Sequence, residues 1–81
     1  MKTKLLGFDS FTSQKTNKKF AKIYILQEEG AKYGDSCFEE IVQVEDDSFI
    51  DFLADSVGEF VRIDYNKGYN GKAYISHIEK I

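Results

Sequence analysis

The chain has 81 residues, 42% of them hydrophobic and 15% aromatic, with a formal net charge of −3. That length allows one domain with one modest core, and that apolar content excludes a disordered segment. No apolar run is long enough to span a bilayer and no signal-peptide core follows Met1, while Cys37 is alone and forms no internal disulfide, so a cytoplasmic setting without membrane contact is expected.

Residues 4–11 (KLLGFDSF) are apolar with β-favouring aromatics, and Gly7 among them predicts a bulge or sharp bend. Residues 12–17 (TSQKTN) form a polar turn with Asn17 suited to a positive φ. In residues 18–27, Ala21, Ile23 and Ile25 alternate as one face of a strand, and Phe20, Lys22 and Tyr24 occupy the other. Residues 28–36 (EEGAKYGDS) read as a loop punctuated by Gly30 and Gly34, and residues 37–44 as a third strand favoured by Ile41, Val42 and Val44.

The period then changes. Asp46, Asp47 and Ser48 are candidate N-caps, Phe49, Ile50, Leu53, Ala54 and Val57 recur at helical spacing, and Gly58 stands where a C′ residue belongs. A two-turn helix is expected here. Residues 59–66 alternate Val61, Ile63 and Tyr65 against Phe60, Arg62 and Asp64; residues 67–71 (KGYNG) are a turn, and residues 72–81 a last strand. The order β-β-β-α-β-β over residues 1–81 predicts a mostly β domain, a five-stranded barrel of the oligonucleotide/oligosaccharide-binding (OB) type with one short helix between strands three and four. A half-open β-roll and an SH3-like barrel are the competing architectures.

Charge is unevenly placed. Residues 1–27 carry Lys2, Lys4, Lys15, Lys18, Lys19 and Lys22 against Asp9 alone, whereas residues 28–59 carry Lys32 against eleven acids. Such segregation sets a local potential that steers a ligand more than net charge does. A solvated surface with scattered charges is the plainer reading.

Catalytic chemistry finds little to work with. His77 is the only histidine, and Cys37 lies among Asp35, Glu39 and Glu40, which disfavour a thiolate. The acids of residues 45–55 lack the Gly and Glu positions of a calcium loop, there is no Cys/His set of zinc spacing, and KGYNGK precedes a strand rather than the helix of a phosphate loop. Neither an enzyme nor a metal or other cofactor is expected.

An aromatic and basic surface remains. Bases in a single strand stack on rings while nearby cations meet the phosphates. Phe20, Lys22 and Tyr24 supply ring, charge and ring at steps of about 7 Å, two residues along an extended chain. Lys18 and Lys19 precede them; Arg62, Lys72 and Tyr74 come from the last two strands; Tyr69 projects from the final turn; and Tyr33 sits in the Gly-flanked loop. Against this, Phe20 also suits a core-capping place at a barrel corner, and Tyr24 and Tyr74 suit structural tyrosines whose hydroxyls reach water. Phe8, Phe11, Phe38, Phe49 and Phe60 fit a core or a dimer interface better than a ligand platform.

The opening KLLGFDSFTSQKTNKKFAKIYIL resembles the first hairpin of small single-stranded DNA-binding proteins of phages and conjugative elements, including the filamentous-phage helix-destabilising type. GEFVRIDYNKGYNGKAYISHIE is similar to their closing segment. The resemblance covers about two-thirds of the chain; the acidic, helix-bearing centre departs from it. It implies an OB-like barrel, dimeric, that coats single strands during DNA replication without catalysis. Two partner readings stand: single-stranded DNA or RNA on the rings, or a protein partner meeting an acidic face of Glu39, Glu40, Asp46, Asp47, Asp51 and Asp55, a mimic of nucleic-acid charge.

Overall fold

The computed structural model describes residues 2–68 and 71–81. Six elements follow in the expected order: β1 (Thr3–Thr12), β2 (Lys19–Gln27), β3 (Ser36–Gln43), α1 (Asp47–Ser56), β4 (Phe60–Lys67) and β5 (Ala73–Lys80). All five strands belong to one antiparallel sheet of order β3-β2-β1-β4-β5.

β1 and β2 pair along their length, from Thr3 opposite Gln27 to Thr12 opposite Lys19. The turn between them closes through Ser13 N–H to the Lys18 carbonyl at 2.9 Å and Asn17 N–H to the Ser13 carbonyl at 2.8 Å, with Asn17 at φ 57. The ladder shifts register between Leu5 and Gly7, which is the predicted bulge. As the alternation requires, Ala21, Ile23 and Ile25 are fully buried. They meet Leu5, Val44, Leu53, Val61 and Ile78 in one core, with Phe8, Phe38, Val42, Phe49, Ile50, Phe52, Ile63 and Ile75 packed around it.

α1 begins where Asp46 accepts the Ser48 N–H at 2.9 Å, a side-chain cap for an otherwise unpaired donor. It runs for ten residues, nearly three turns. Its seam is Phe49, Phe52, Leu53 and Ser56, at spacings of three and four. Ala54 and Val57, expected on that seam, are exposed instead; Val57 has already left the helix at ψ 128. Gly58 follows at φ 84, and its N–H bonds the Leu5 carbonyl at 2.7 Å, fastening the helix end to β1. Lys19 reaches Asp47 at 3.4 Å and Lys80 reaches Asp55 at 2.6 Å, so ion pairs tie the helix to β2 and to β5.

The expected closed barrel is not formed. Among the described residues, β4 pairs with β1 only at Thr3 with Val61 and Lys4 with Phe60, and no ladder joins β3 to β5. The β4–β5 hairpin contributes Val61 and Ile78 to the same core, with Ile63 and Ile75 packed against it. Tyr65 of β4 lies close enough to Glu40 of β3 for the two to interact electrically. No helix among the described residues is long and apolar enough to cross a membrane.

Candidate nucleic-acid interface

Residues directly opposite in an antiparallel ladder point to the same face. Because Ala21, Ile23 and Ile25 point inward, Phe20, Lys22 and Tyr24 point outward, each flanked by its partners on β1 and β3. Phe20 lies between Phe11 and Gln43, Lys22 between Asp9 and Ile41, and Tyr24 between Gly7 and Glu39. Three rows of side chains thus build one outward surface.

The first row holds a ring pair. Phe11 and Phe20 stack with centroids 5.9 Å apart and an interplanar angle of 24°, and Phe11 remains 42% exposed. Phe11, expected in a core or dimer interface, is thus outside the core and shares the outward face of the β2 rings. In the second row Lys22 lies 3.3 Å from Glu39, and Ile41 is 58% exposed. In the third, the Tyr24 hydroxyl donates to Asp9 at 2.8 Å. That hydrogen bond, with smaller contributions from burial and the charges of Asp9 and Glu39, pushes the Tyr24 hydroxyl above its ordinary value of 10.0, so it stays a donor at neutral pH. Phe20 to Tyr24 spans about 13 Å of extended chain.

The two ends of this surface carry further candidates. Lys18 closes the β1–β2 turn beside the Phe11–Phe20 pair, with Lys15 in the same turn, while Lys19 is held by Asp47. At the other end, Tyr33 in the β2–β3 loop is almost fully exposed, with the Lys32 ammonium 5.5 Å from its ring centre. This loop is shaped by Gly30, where a Cβ would come within 3.1 Å of the Gln27 carbonyl, and by Glu29 at φ 59.

The β4–β5 candidates lie elsewhere. Arg62 lies on the face of β4 opposite the buried Val61 and is held by Glu79 and by Asp64, the latter at 3.7 Å. Tyr74 lies opposite Asn66 on the outer side of β5, 53% exposed, across a groove from Ile41. Lys72 is exposed just before β5, and Tyr69 lies outside the described residues.

Two features escaped the sequence reading. Ile41 points outward and Glu40 inward, the reverse of what their polarity suggests; only the pairing of Lys22 with Ile41 reveals it. Phe11 joins the rings through the register set by the six-residue turn. Cys37, also on the outer side, is a free thiol, and His77 is exposed 3.6 Å from Glu79. Comparison with family models, curated proteins and solved structures gives no significant match.

Proposed function

We propose that this chain binds single-stranded nucleic acid, DNA in the first instance, without catalysis, on the outward surface of β1, β2 and β3. The strand order is that of an OB-like barrel opened at its β3–β5 seam, and the surface is the one such a barrel offers to an oligonucleotide. The carrying observation is the Phe11–Phe20 stack in line with Tyr24, three rings on one outward face, Phe11 exposed and Phe20 and Tyr24 half-buried, with Lys22 between Phe20 and Tyr24. Each base stacked on such a ring contributes about 1–3 kcal/mol, and stacking tolerates any sequence because every base has a π-face. Lys15, Lys18 and Lys22 meet phosphates, and Tyr33 closes over a base at the far end.

The acidic-face alternative is less well supported. Of its six carboxylates, Glu39 pairs with Lys22, Asp47 with Lys19 and Asp55 with Lys80, while Asp46 caps α1 and Glu40 points inward. They do not form one free strip that mimics a phosphate backbone.

Fluorescence anisotropy of a labelled oligo-dT at two salt concentrations tests the proposal. Three lysine–phosphate contacts give a log–log salt slope of about −2, from about −0.7 per phosphate on single strands. Absence of binding at low salt and micromolar protein removes the proposal.

A further inference from the structure

The seam between β3 and β5 is a groove of about 830 Å³. Its walls are consecutive residues, 41–43 on one side and 74–78 on the other. A sheet face would contribute alternate residues; consecutive ones mean that the strand edges themselves, with their backbone N–H and C=O groups, border the opening. β3 and β5 are the outer strands of the sheet order, so both edges lack a ladder partner. Phe49 and Phe52 of α1, stacked at 6.2 Å, form its apolar floor, and Glu45 and Asp46 line it as well. No Lys or Arg is among the described residues that line it.

We infer that this groove is a docking site for an extended, cationic peptide segment of a partner protein, which adds as a strand along β5 and fills the open seam. An unpaired edge supplies a ready ladder of hydrogen bonds, and strand addition of this kind takes affinity from the backbone and specificity from alternate side chains. Residues 74–78 span about 13 Å, room for four or five residues of an extended peptide. Alternation sends one set of its side chains onto Phe49, Phe52 and Ile75 and the other towards Glu45 and Asp46, so an apolar–basic alternation fits.

Charge decides between occupants. A nucleic acid would bring phosphates to two carboxylates with no cation to receive them. A second copy of this chain would offer β3, whose Glu39 and Glu40 bring carboxylates to carboxylates, or β5, whose Lys80 beside Glu79 is already paired with Asp55. A foreign strand bearing Lys or Arg meets neither obstacle. The groove borders the ring surface proposed for nucleic acid and shares Ile41 and Gln43 with it, but its β5 wall and its Phe49 and Phe52 lie outside that surface, and the inference does not depend on it.

The test uses a fluorescein-labelled octapeptide of alternating Val and Lys, the same peptide with N-methyl groups on alternate amides in either register, and its Val/Glu counterpart. Binding is read by anisotropy and by amide chemical shifts of the isotope-labelled chain. The inference predicts saturable binding of the Val/Lys peptide, with shifts centred on residues 41–43 and 74–78. It also predicts at least tenfold weakening by N-methylation in one register and no binding of the Val/Glu peptide. Glu45→Lys should weaken the Val/Lys peptide several-fold while leaving the thermal midpoint and oligo-dT binding in place. Equal binding of all N-methylated forms would reduce the contact to charge alone and overturn the inference. So would shifts confined to Phe20, Lys22 and Tyr24, failure of the Val/Lys peptide to saturate at millimolar concentration, or a sedimentation-detected dimer that buries residues 74–78.

Discussion

Lys22 and Glu39 face each other at 3.3 Å across β2 and β3, so the lysine proposed to meet a phosphate already has a carboxylate partner. Their side chains are 36% and 57% exposed, which places the pair among the solvent-accessible ion pairs that contribute about 0.2–1 kcal/mol. Binding a phosphate at Lys22 gives up that amount. It also brings the phosphate to roughly 7 Å from the Glu39 carboxylate, a repulsion of about 0.6 kcal/mol in water before salt screening reduces it by roughly half. Glu39→Gln removes both terms, which together come to about 0.5–1.3 kcal/mol, or roughly two- to tenfold tighter binding. Lys22 meets a phosphate in both proteins, so the log–log salt slope stays at about −2 from three contacts. Anisotropy titrations of oligo-dT against the wild type and Glu39→Gln across a salt series measure both quantities. Weaker or unchanged binding by Glu39→Gln would refute the placement of a phosphate beside Lys22.

Other consequences are equally open to measurement. Tyr24→Phe loses the hydrogen bond to Asp9 but keeps the ring, so oligo-dT affinity should hold within about twofold, whereas Tyr24→Ala should lose about 1–3 kcal/mol, read in the same titration. Phe11→Ala should weaken binding as much as Phe20→Ala, since each removes half of one stack; an inert Phe11 would return it to a purely structural role. Gly58→Ala should lower stability by about 1–2 kcal/mol in denaturant unfolding, because the added Cβ meets open space and only the φ of 84 is penalised. The Ser48 hydrogen bonds hold the Asp46 carboxyl below its ordinary value, and the Lys80 hydrogen bond and charge do the same for Asp55. Both carboxylates stabilise the fold fully above the ordinary value of 3.8, and that stability is lost as pH falls through their depressed values. Thermal melts should therefore drop in acid, and Asp46→Asn with Asp55→Asn should flatten the drop.

Local signals made much of the fold legible. The two-residue period of Ala21, Ile23 and Ile25 named the buried face of β2, because burial on one side forces that alternation. Asp46 and Gly58 bracketed the helix because an unpaired N–H needs an acceptor and a positive φ favours a residue without Cβ. What escaped depends on pairing. The stack of Phe11 on Phe20, the outward turn of Ile41 and the inward turn of Glu40 all follow from registers that distant segments set together. The same holds for the cations. Lys19, Lys22 and Arg62 read as free in sequence, yet their carboxylate partners lie on α1, β3 and β5, elements that only folding brings alongside. The opening between β3 and β5 was hidden for a related reason, since it rests on how few residues of β1 and β4 are shared.

An amide chemical-shift titration of the isotope-labelled chain with oligo-dT locates the bound strand residue by residue. Binding on the outward surface of β1, β2 and β3 gives saturable, salt-sensitive shifts concentrated at Phe11, Phe20, Lys22, Tyr24 and Ile41, continuing towards Lys18 and Tyr33. Shifts confined to the outer face of β4 and β5 around Arg62, or none at low salt, would contradict it.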